Sequence, residues 1–171
     1  MGALRAKRAG CLRKTCLLML NRGTCPQTLF VDTCDHLNDS KIMSKKRAFI
    51  SFDFDHDDDL RTLLAGQAQH PDTPFEIKDR SLKEALAGDW KEKVRRRLNN
   101  VDVVIVMCGE YTDRATGVAH ELTIAKEEKK PYFLLWGRST KTCRKPTSAG
   151  ANDKVYRWTW DNLKALINGA R

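Results

Sequence analysis

Val101-Asp102-Val103-Val104-Ile105-Val106-Met107 is the stretch on which the fold turns. It is β-branched and apolar over almost its whole length, too short and too continuous for the stripe of an amphipathic helix. It therefore reads as a strand buried on both faces of a parallel sheet. After it come a turn, Cys108-Gly109-Glu110-Tyr111-Thr112-Asp113, a helical stretch from about Val118 to Lys129, and a second strand-like run, Pro131-Tyr132-Phe133-Leu134-Leu135-Trp136. Strand, helix and strand in this succession make a right-handed βαβ unit, and ligands in such folds gather beyond the carboxyl ends of the strands.

Working outward, Arg47-Ala48-Phe49-Ile50-Ser51-Phe52 reads as a first strand, and Asp53 to Asp59 as an acidic turn. A helix is expected from about Asp58 to Gln69, with Leu60, Leu63 and Leu64 facing the core at i, i+3, i+4 spacing. Pro71 and Pro74 break the chain before a short strand, Phe75-Glu76-Ile77, and a loop over Lys78-Asp79-Arg80-Ser81-Leu82. Asp89 is placed to cap a helix over Trp90 to Leu98, whose Trp90, Val94 and Leu98 repeat at i, i+4, i+8. Beyond Trp136, Gly137 to Asp153 is loop in composition, Tyr156 to Trp160 an edge strand, and Asp161 to Gly169 a helix with Leu163, Leu166 and Ile167 inward. The order describes a three-layer, flavodoxin-like α/β domain around a central parallel sheet.

The formal charge of +9 over 171 residues is uneven, with +4 in residues 1–42 and +5 in the rest. Arg95-Arg96-Arg97 and Lys126 to Lys130 lie on expected helices beside acidic residues, which reads as solvated face rather than nucleic-acid surface. No apolar run approaches the roughly 20 residues that span a bilayer, so neither nucleic acid nor membrane is an expected partner. Residues 1–42 hold Cys11, Cys16, Cys25 and Cys34 at spacings that match no zinc pairing, and they show no sustained period of 2 or 3.6. Met43-Ser44-Lys45-Lys46-Arg47 leads straight into the first strand. Residues 1–42 are accordingly expected to be an extension without a fold of its own, and 43–171 the domain. With only Cys108 and Cys143 in that domain, a reducing cytoplasm is expected.

The acidic turn admits three specific chemistries. As a calcium loop it lacks glycine at position 6, where Asp58 stands, and the bidentate glutamate at position 12, where Leu64 stands. As a haloacid-dehalogenase-type site, Asp53-Phe54-Asp55 needs further metal acids after later strands, and Cys108-Gly109 and Gly137-Arg138 stand there instead. As a receiver domain it lacks the aspartate that ends the third strand. Asp57, Asp58 and Asp59 then read as solvated helix-capping acids suited to the positive end of the dipole, while Asp53 and His56 stand close enough to the strand end to line a pocket. By position alone, Glu121 is either a surface carboxylate pairing with Lys126 or Lys129 or a site residue just beyond the sheet edge. As a helix-start carboxylate it would contribute at most about 1 kcal/mol to stability. His120 reads as surface and Cys108 as a small buried residue. No metal site is expected.

Several stretches taken together resemble a known family. Phe49-Ile50-Ser51-Phe52, Asp79-Arg80-Ser81-Leu82, Asn99 to Gly109 and Gly117-Val118-Ala119-His120-Glu121-Leu122 resemble successive blocks of the TIR-like domain of Thoeris ThsB proteins, bacterial relatives of Toll/interleukin-1 receptor domains. The likeness covers about Arg47 to Trp136. The family's block is usually Trp-Val-x-x-Glu-Ile, and Gly117 replaces its aromatic here. The resemblance implies chemistry on NAD as substrate, with no further cofactor: cleavage of the nicotinamide–ribose bond to give ADP-ribose or a cyclic isomer that serves as a signal in antiphage defence. It places Glu121 as the catalytic carboxylate, Ser51 and Phe52 at the floor of the cleft, Asp79 and Ser81 on the flanking loop, and Asp113 on the loop before the helix; Asp53 joins them as a substrate-binding residue. Self-association, and an effector protein reached through a diffusible nucleotide, are the implied partners. The alternative is a non-enzymatic interaction module, since many TIR-fold domains act by association alone and fold does not fix function. An interaction module can spare Glu121, and a glycohydrolase cannot.

Overall fold

The computed structural model describes residues 44–81 and 88–170. The expected extension at 1–42 lies outside the described residues. Among the described residues, five strands and four helices follow one another: β1 (Lys46–Ser51), α1 (Asp58–Ala68), β2 (Phe75–Arg80), α2 (Trp90–Asn99), β3 (Val103–Cys108), α3 (Thr116–Glu127), β4 (Tyr132–Trp136), β5 (Val155–Arg157) and α4 (Trp160–Ile167). All neighbours in the sheet are parallel, in the order β2-β1-β3-β4-β5. That is the flavodoxin-like arrangement expected from the sequence.

Handedness sorts the helices. The chain steps from β1 outward to β2, then returns past β1 to β3 and on to β4. Right-handed crossovers in opposite directions lie on opposite faces, so α1 is separated from α2 and α3. Leu60, Leu64 and Ala68 of α1 and Leu163, Leu166 and Ile167 of α4 pack on Ala48, Ile50, Ile105, Met107, Phe133 and Leu135. On the other face Trp90, Val94 and Leu98 of α2 and Val118, Leu122 and Ala125 of α3 pack on Phe49, Val104, Val106 and Leu134. Strand β3 is buried at every position because it has a neighbour on each side and a helical layer on each face. Helix α4 begins at Trp160, with Thr159 as its cap and the Thr159 hydroxyl accepting from the Asn162 N–H.

The structure corrects the sequence reading of these elements at several points, among them the edge strand expected over Tyr156 to Trp160, which is confined to Val155–Arg157. Strand β2 runs on to Arg80, so Lys78 and Asp79 are strand and not loop; β2 is an edge strand whose burial alternates, and its exposed positions are free to be polar. Leu63 is 61% exposed, because α1 buries Leu60, Leu64 and Ala68 and turns position 63 aside. Asp102 precedes β3 instead of standing in it, and its carboxylate accepts from Arg47 N–H at 2.8 Å, Nε at 3.2 Å and Nη2 at 2.9 Å. Asp57 is fully buried rather than solvated, and its side chain makes no capping bond to α1.

The β1–β2 ladder carries an irregularity. Ala48 pairs with Ile77 but Phe49 pairs with Asp79, so β2 has one more residue than β1 across this step. Ile50 then pairs with Arg80, which sets Ser81 beside Ser51 as the next position in the ladder. Without the bulge, Arg80 would stand beside Ser51.

Two outcomes follow from this packing. Val104 is fully buried between Phe49 of β1 and Tyr132 of β4. Val104→Asp will bury a carboxylate without partners at a cost of several kcal/mol, against a total of about 5–15 kcal/mol, and circular dichroism will find the variant unfolded or insoluble. The hydrogen bonds from Arg47 hold the Asp102 carboxyl at about 2, below its ordinary value. The stabilisation is therefore complete above pH ~4 and is lost as pH falls through the folded value. Asp102→Asn will melt below wild type at neutral pH, and the gap will close as pH is lowered from about 4 toward about 2.

Candidate active site

Side-chain parity in β1 sets up the site. Ala48 and Ile50 face the α1/α4 layer and Phe49 the α2/α3 layer, so Ser51, at the carboxyl end of the strand, points toward α3. In α3, Val118, Glu121, Leu122 and Ala125 follow the i, i+3, i+4, i+7 spacing of a core-facing stripe, and all four are buried. Glu121 is thus a carboxylate on an apolar stripe, 3% exposed and in the second turn of the helix.

Two serines meet it. Ser51 Oγ donates to Glu121 Oε2 at 2.6 Å and Ser81 Oγ donates to the same oxygen at 2.5 Å. Ser81 continues the β2 ladder by donating its N–H to the Ile50 carbonyl at 2.8 Å, and its hydroxyl accepts the Phe52 N–H at 3.0 Å. One hydroxyl therefore joins β1, the end of β2 and α3. Each bond is short, as charge-assisted O–H···O⁻ bonds are. A carboxylate out of water requires such donors, since an unmatched buried charge costs far more than a neutral polar group. The pairing with Lys126 or Lys129 does not form: the Lys126 ammonium turns instead to the Ser148 carbonyl at 2.7 Å and to Asp153 at 3.5 Å.

The other expected site residues lie elsewhere. Phe52 continues the alternation of β1 onto the opposite face, where its ring packs on Phe54 with centroids 4.5 Å apart. Only its N–H reaches the serine cluster, so the ring is not at a cleft floor with Glu121. Asp79 pairs with Arg97 of α2 at 3.0 Å and accepts the Arg80 N–H. Asp53 accepts the Asp55 N–H at 3.1 Å and lies 2.8 Å from His56 Nδ1, which closes the acidic turn on itself. Asp113 pairs with Arg144 at 3.0 Å. The structure thus brings together Ser51, Ser81 and Glu121, and holds Phe52, Asp53, Asp79 and Asp113 in separate contacts.

A further buried acid is Asp57, which the sequence presents as a solvated helix cap. Asp57 sits against Gly109, where a Cβ would collide with its carboxylate. Its Oδ1 accepts from Arg138 at 3.2 Å, and its Oδ2 has no hydrogen-bond partner among the described residues. Burial pushes this carboxyl up, and Arg138 opposes the shift. Arg138 also grips Asp59 through both guanidinium nitrogens, at 2.9 and 2.8 Å, and the His56 carbonyl at 2.9 Å. The available signal was a glycine directly after a strand end, facing an acidic turn across the sheet edge. Cys108 is fully buried, and burial pushes its thiol up, away from nucleophilic use. His120 is a surface residue against Trp90, with ring centroids 5.2 Å apart. Among the described residues no group of His, Cys, Asp and Glu is arranged to hold a metal ion, and no helix is long and apolar enough to cross a membrane.

A parallel α/β sheet in 2-1-3-4-5 order is flavodoxin-like, and here a buried glutamate is tied to the carboxyl edges of β1 and β2. The family model described as Thoeris protein ThsB, TIR-like domain matches residues 49–142, more than half of the chain, and the protein belongs to that family. The membership supports a role in TIR-type defence. No curated protein matches the chain.

The two serines carry unequal loads. Ser51→Ala removes one bond to Glu121, whereas Ser81→Ala removes a bond to Glu121 and the acceptor of the Phe52 N–H. Urea unfolding will place the cost of Ser81→Ala at about 1–3 kcal/mol, above that of Ser51→Ala.

Proposed function

We propose that this domain cleaves NAD at the nicotinamide–ribose bond and releases an ADP-ribose-type product, linear or cyclic, as a defence signal. The observation that carries the reading is Glu121, a carboxylate fixed at the carboxyl edge of the switch-point strand by two serine hydroxyls at 2.6 and 2.5 Å. Heterolysis of the C1′–N bond sends the bonding pair to nicotinamide, which departs neutral, and leaves an oxocarbenium-like ribosyl cation. A preoriented negative charge stabilises that cation without reorganising during the step. Nicotinamide needs no proton to leave, so one carboxylate suffices and no partner acid is required. Water as acceptor gives ADP-ribose and a proton; a hydroxyl of the same molecule gives a cyclic isomer and a proton. Ser51 and Ser81 are positioning residues in this scheme. Self-association, and an effector protein reached through the diffusible nucleotide, complete the proposed pathway.

The interaction-module reading draws on the same contacts, since a carboxylate 3% exposed with two hydroxyl donors also serves as a structural tie. Glu121→Gln separates the two. Its thermal stability will fall measurably, by about 1–3 kcal/mol for weakened buried hydrogen bonds, in contrast to the near-zero change expected of a helix-start surface residue. Under conditions where wild type turns over, chromatography of NAD products will find a loss of about a hundredfold or more, about 3 kcal/mol of transition-state stabilisation. A folded Glu121→Gln as active as wild type would exclude the catalytic role and leave the structural tie.

A further inference from the structure

Because every strand is parallel, the amino ends of β1, β3, β4 and β5 share one edge of the sheet, opposite the edge that holds Glu121. Lys45 and Lys46 open β1, Lys129 and Lys130 precede β4, and Lys154 precedes β5. The first and last of these strands stand three spacings apart, about 14 Å. At the β4–β5 end of this rim a cavity of about 680 Å³ is lined by Lys126, Lys129, Lys130 and Lys154, with Asp153 as the one carboxylate among the described residues.

The acids next to these lysines in sequence do not neutralise them. Arg95 of α2 takes Glu127 at 2.9 Å and Glu128 at 3.3 Å. Asp153 is engaged by the Tyr132 hydroxyl at 2.9 Å, the Gly150 N–H at 2.7 Å and Lys126 at 3.5 Å. Lys130 donates to the Val101 carbonyl at 3.1 Å and keeps its charge uncompensated by an acid. The side chains of Lys45, Lys129 and Lys154 make no hydrogen bond or ion pair among the described residues. Lys129 also stands at φ 52°, in the left-handed turn that ends α3. That position favours glycine. A lysine there keeps strain in the backbone and sets an exposed ammonium beside the cavity.

We infer that this basic rim binds the phosphate backbone of single-stranded nucleic acid, without regard to sequence. Cations spread along an edge match a polyanion that runs past them, and need not converge on one small ligand. A concave site of this size admits a flexible single strand but not the body of a duplex. A membrane surface fits less well, since it calls for apolar side chains beside the cations. The exposed large hydrophobics among the described residues lie elsewhere, Leu63 on α1 and Tyr111 at the carboxyl edge. The rim is separate from the serine–glutamate cluster: Lys129 lies eight residues beyond Glu121 along α3, about 12 Å of helix rise. Binding here does not depend on NAD cleavage.

The test is fluorescence anisotropy of a labelled oligothymidylate titrated with the full-length protein at several salt concentrations. Saturable binding is expected at low salt, with log K falling against log[salt] at a slope of about −2 to −3, as for three or four phosphates neutralised. Lys129→Gly and Lys154→Gln will each weaken binding at least about threefold and flatten the slope by about 0.7. Lys129→Gly relieves the left-handed residue, so its melting temperature will rise while its binding falls, a split that a purely structural lysine would not give. Arg114→Gln removes the same charge from an exposed position at the opposite edge and will change neither affinity nor slope. The assignment is overturned by absence of saturable binding at about 50 mM salt and about 200 μM protein, well above the usual non-specific range. It is equally overturned if the Lys129→Gly, Lys154→Gln double variant binds as wild type does, if a duplex of the same length binds more tightly, or if vesicles containing phosphatidylserine outcompete the oligonucleotide at matched salt.

Discussion

A carboxylate placed on the apolar stripe of a helix is tolerated only where donors wait for it, and the end of β1 is built to supply them. Ser51 and Ser81 both reach Glu121 Oε2, and Ser81 in turn receives the Phe52 N–H and hands its own N–H to Ile50. Three elements that the chain visits at widely separated times thus share one polar knot inside an otherwise apolar layer. The demand runs both ways. The charge needs the hydroxyls because a buried ion without them is far too costly, and the hydroxyls meet only because β1 and β2 pair in parallel with one particular register.

How much of this was legible in the chain differs by residue, for physical reasons. Strand β3 announces itself because a strand enclosed by neighbours and two helical layers has no face on which to place polar residues. Glu121 is less legible, since by position it reads equally as a surface carboxylate paired with a lysine, and only the seating of α3 on the sheet turns it inward with Val118, Leu122 and Ala125. Strand β2 is harder: an edge strand with alternating exposure spends Glu76, Lys78 and Arg80 on solvent, and hydropathy then mistakes its second half for loop. Asp57 was misread because a run of acids before a helix has a ready local explanation in the dipole. Its burial depends on Gly109, 52 positions away and brought near only by the sheet. The sequence resemblance grouped Ser81 with Glu121 but also grouped Phe52, Asp79 and Asp113, and side-chain parity and local ion pairs are what separate them.

The segment after β4 is regular in none of its backbone yet is bound firmly to the sheet edge. Arg138 spans Asp57 and Asp59, Lys141 reaches Glu110 at 2.5 Å, Arg144 reaches Asp113, and the Arg144 N–H bonds the Gly109 carbonyl at 2.8 Å. Exposed pairs of this kind contribute little one by one. Arg138 differs, because its side chain is mostly covered and holds one acid that is fully buried. Removing it would leave the Asp57 carboxyl both buried and alone, so the cost falls on the neighbour that remains.

The bulge in β2 bears on how the gene can change length. Because β2 spends one residue more than β1 on the same step of the ladder, the strand carries one codon of slack. A single-residue deletion anywhere from Lys78 to Arg80 straightens the ladder and still delivers Ser81 to its place beside Ser51. An insertion in the same interval has no such reserve: it must open a second bulge or push Arg80 into the serine's position, facing the glutamate. The polar knot therefore tolerates shortening of β2 and resists its lengthening, an asymmetry set by the strand and not by the chemistry at its end.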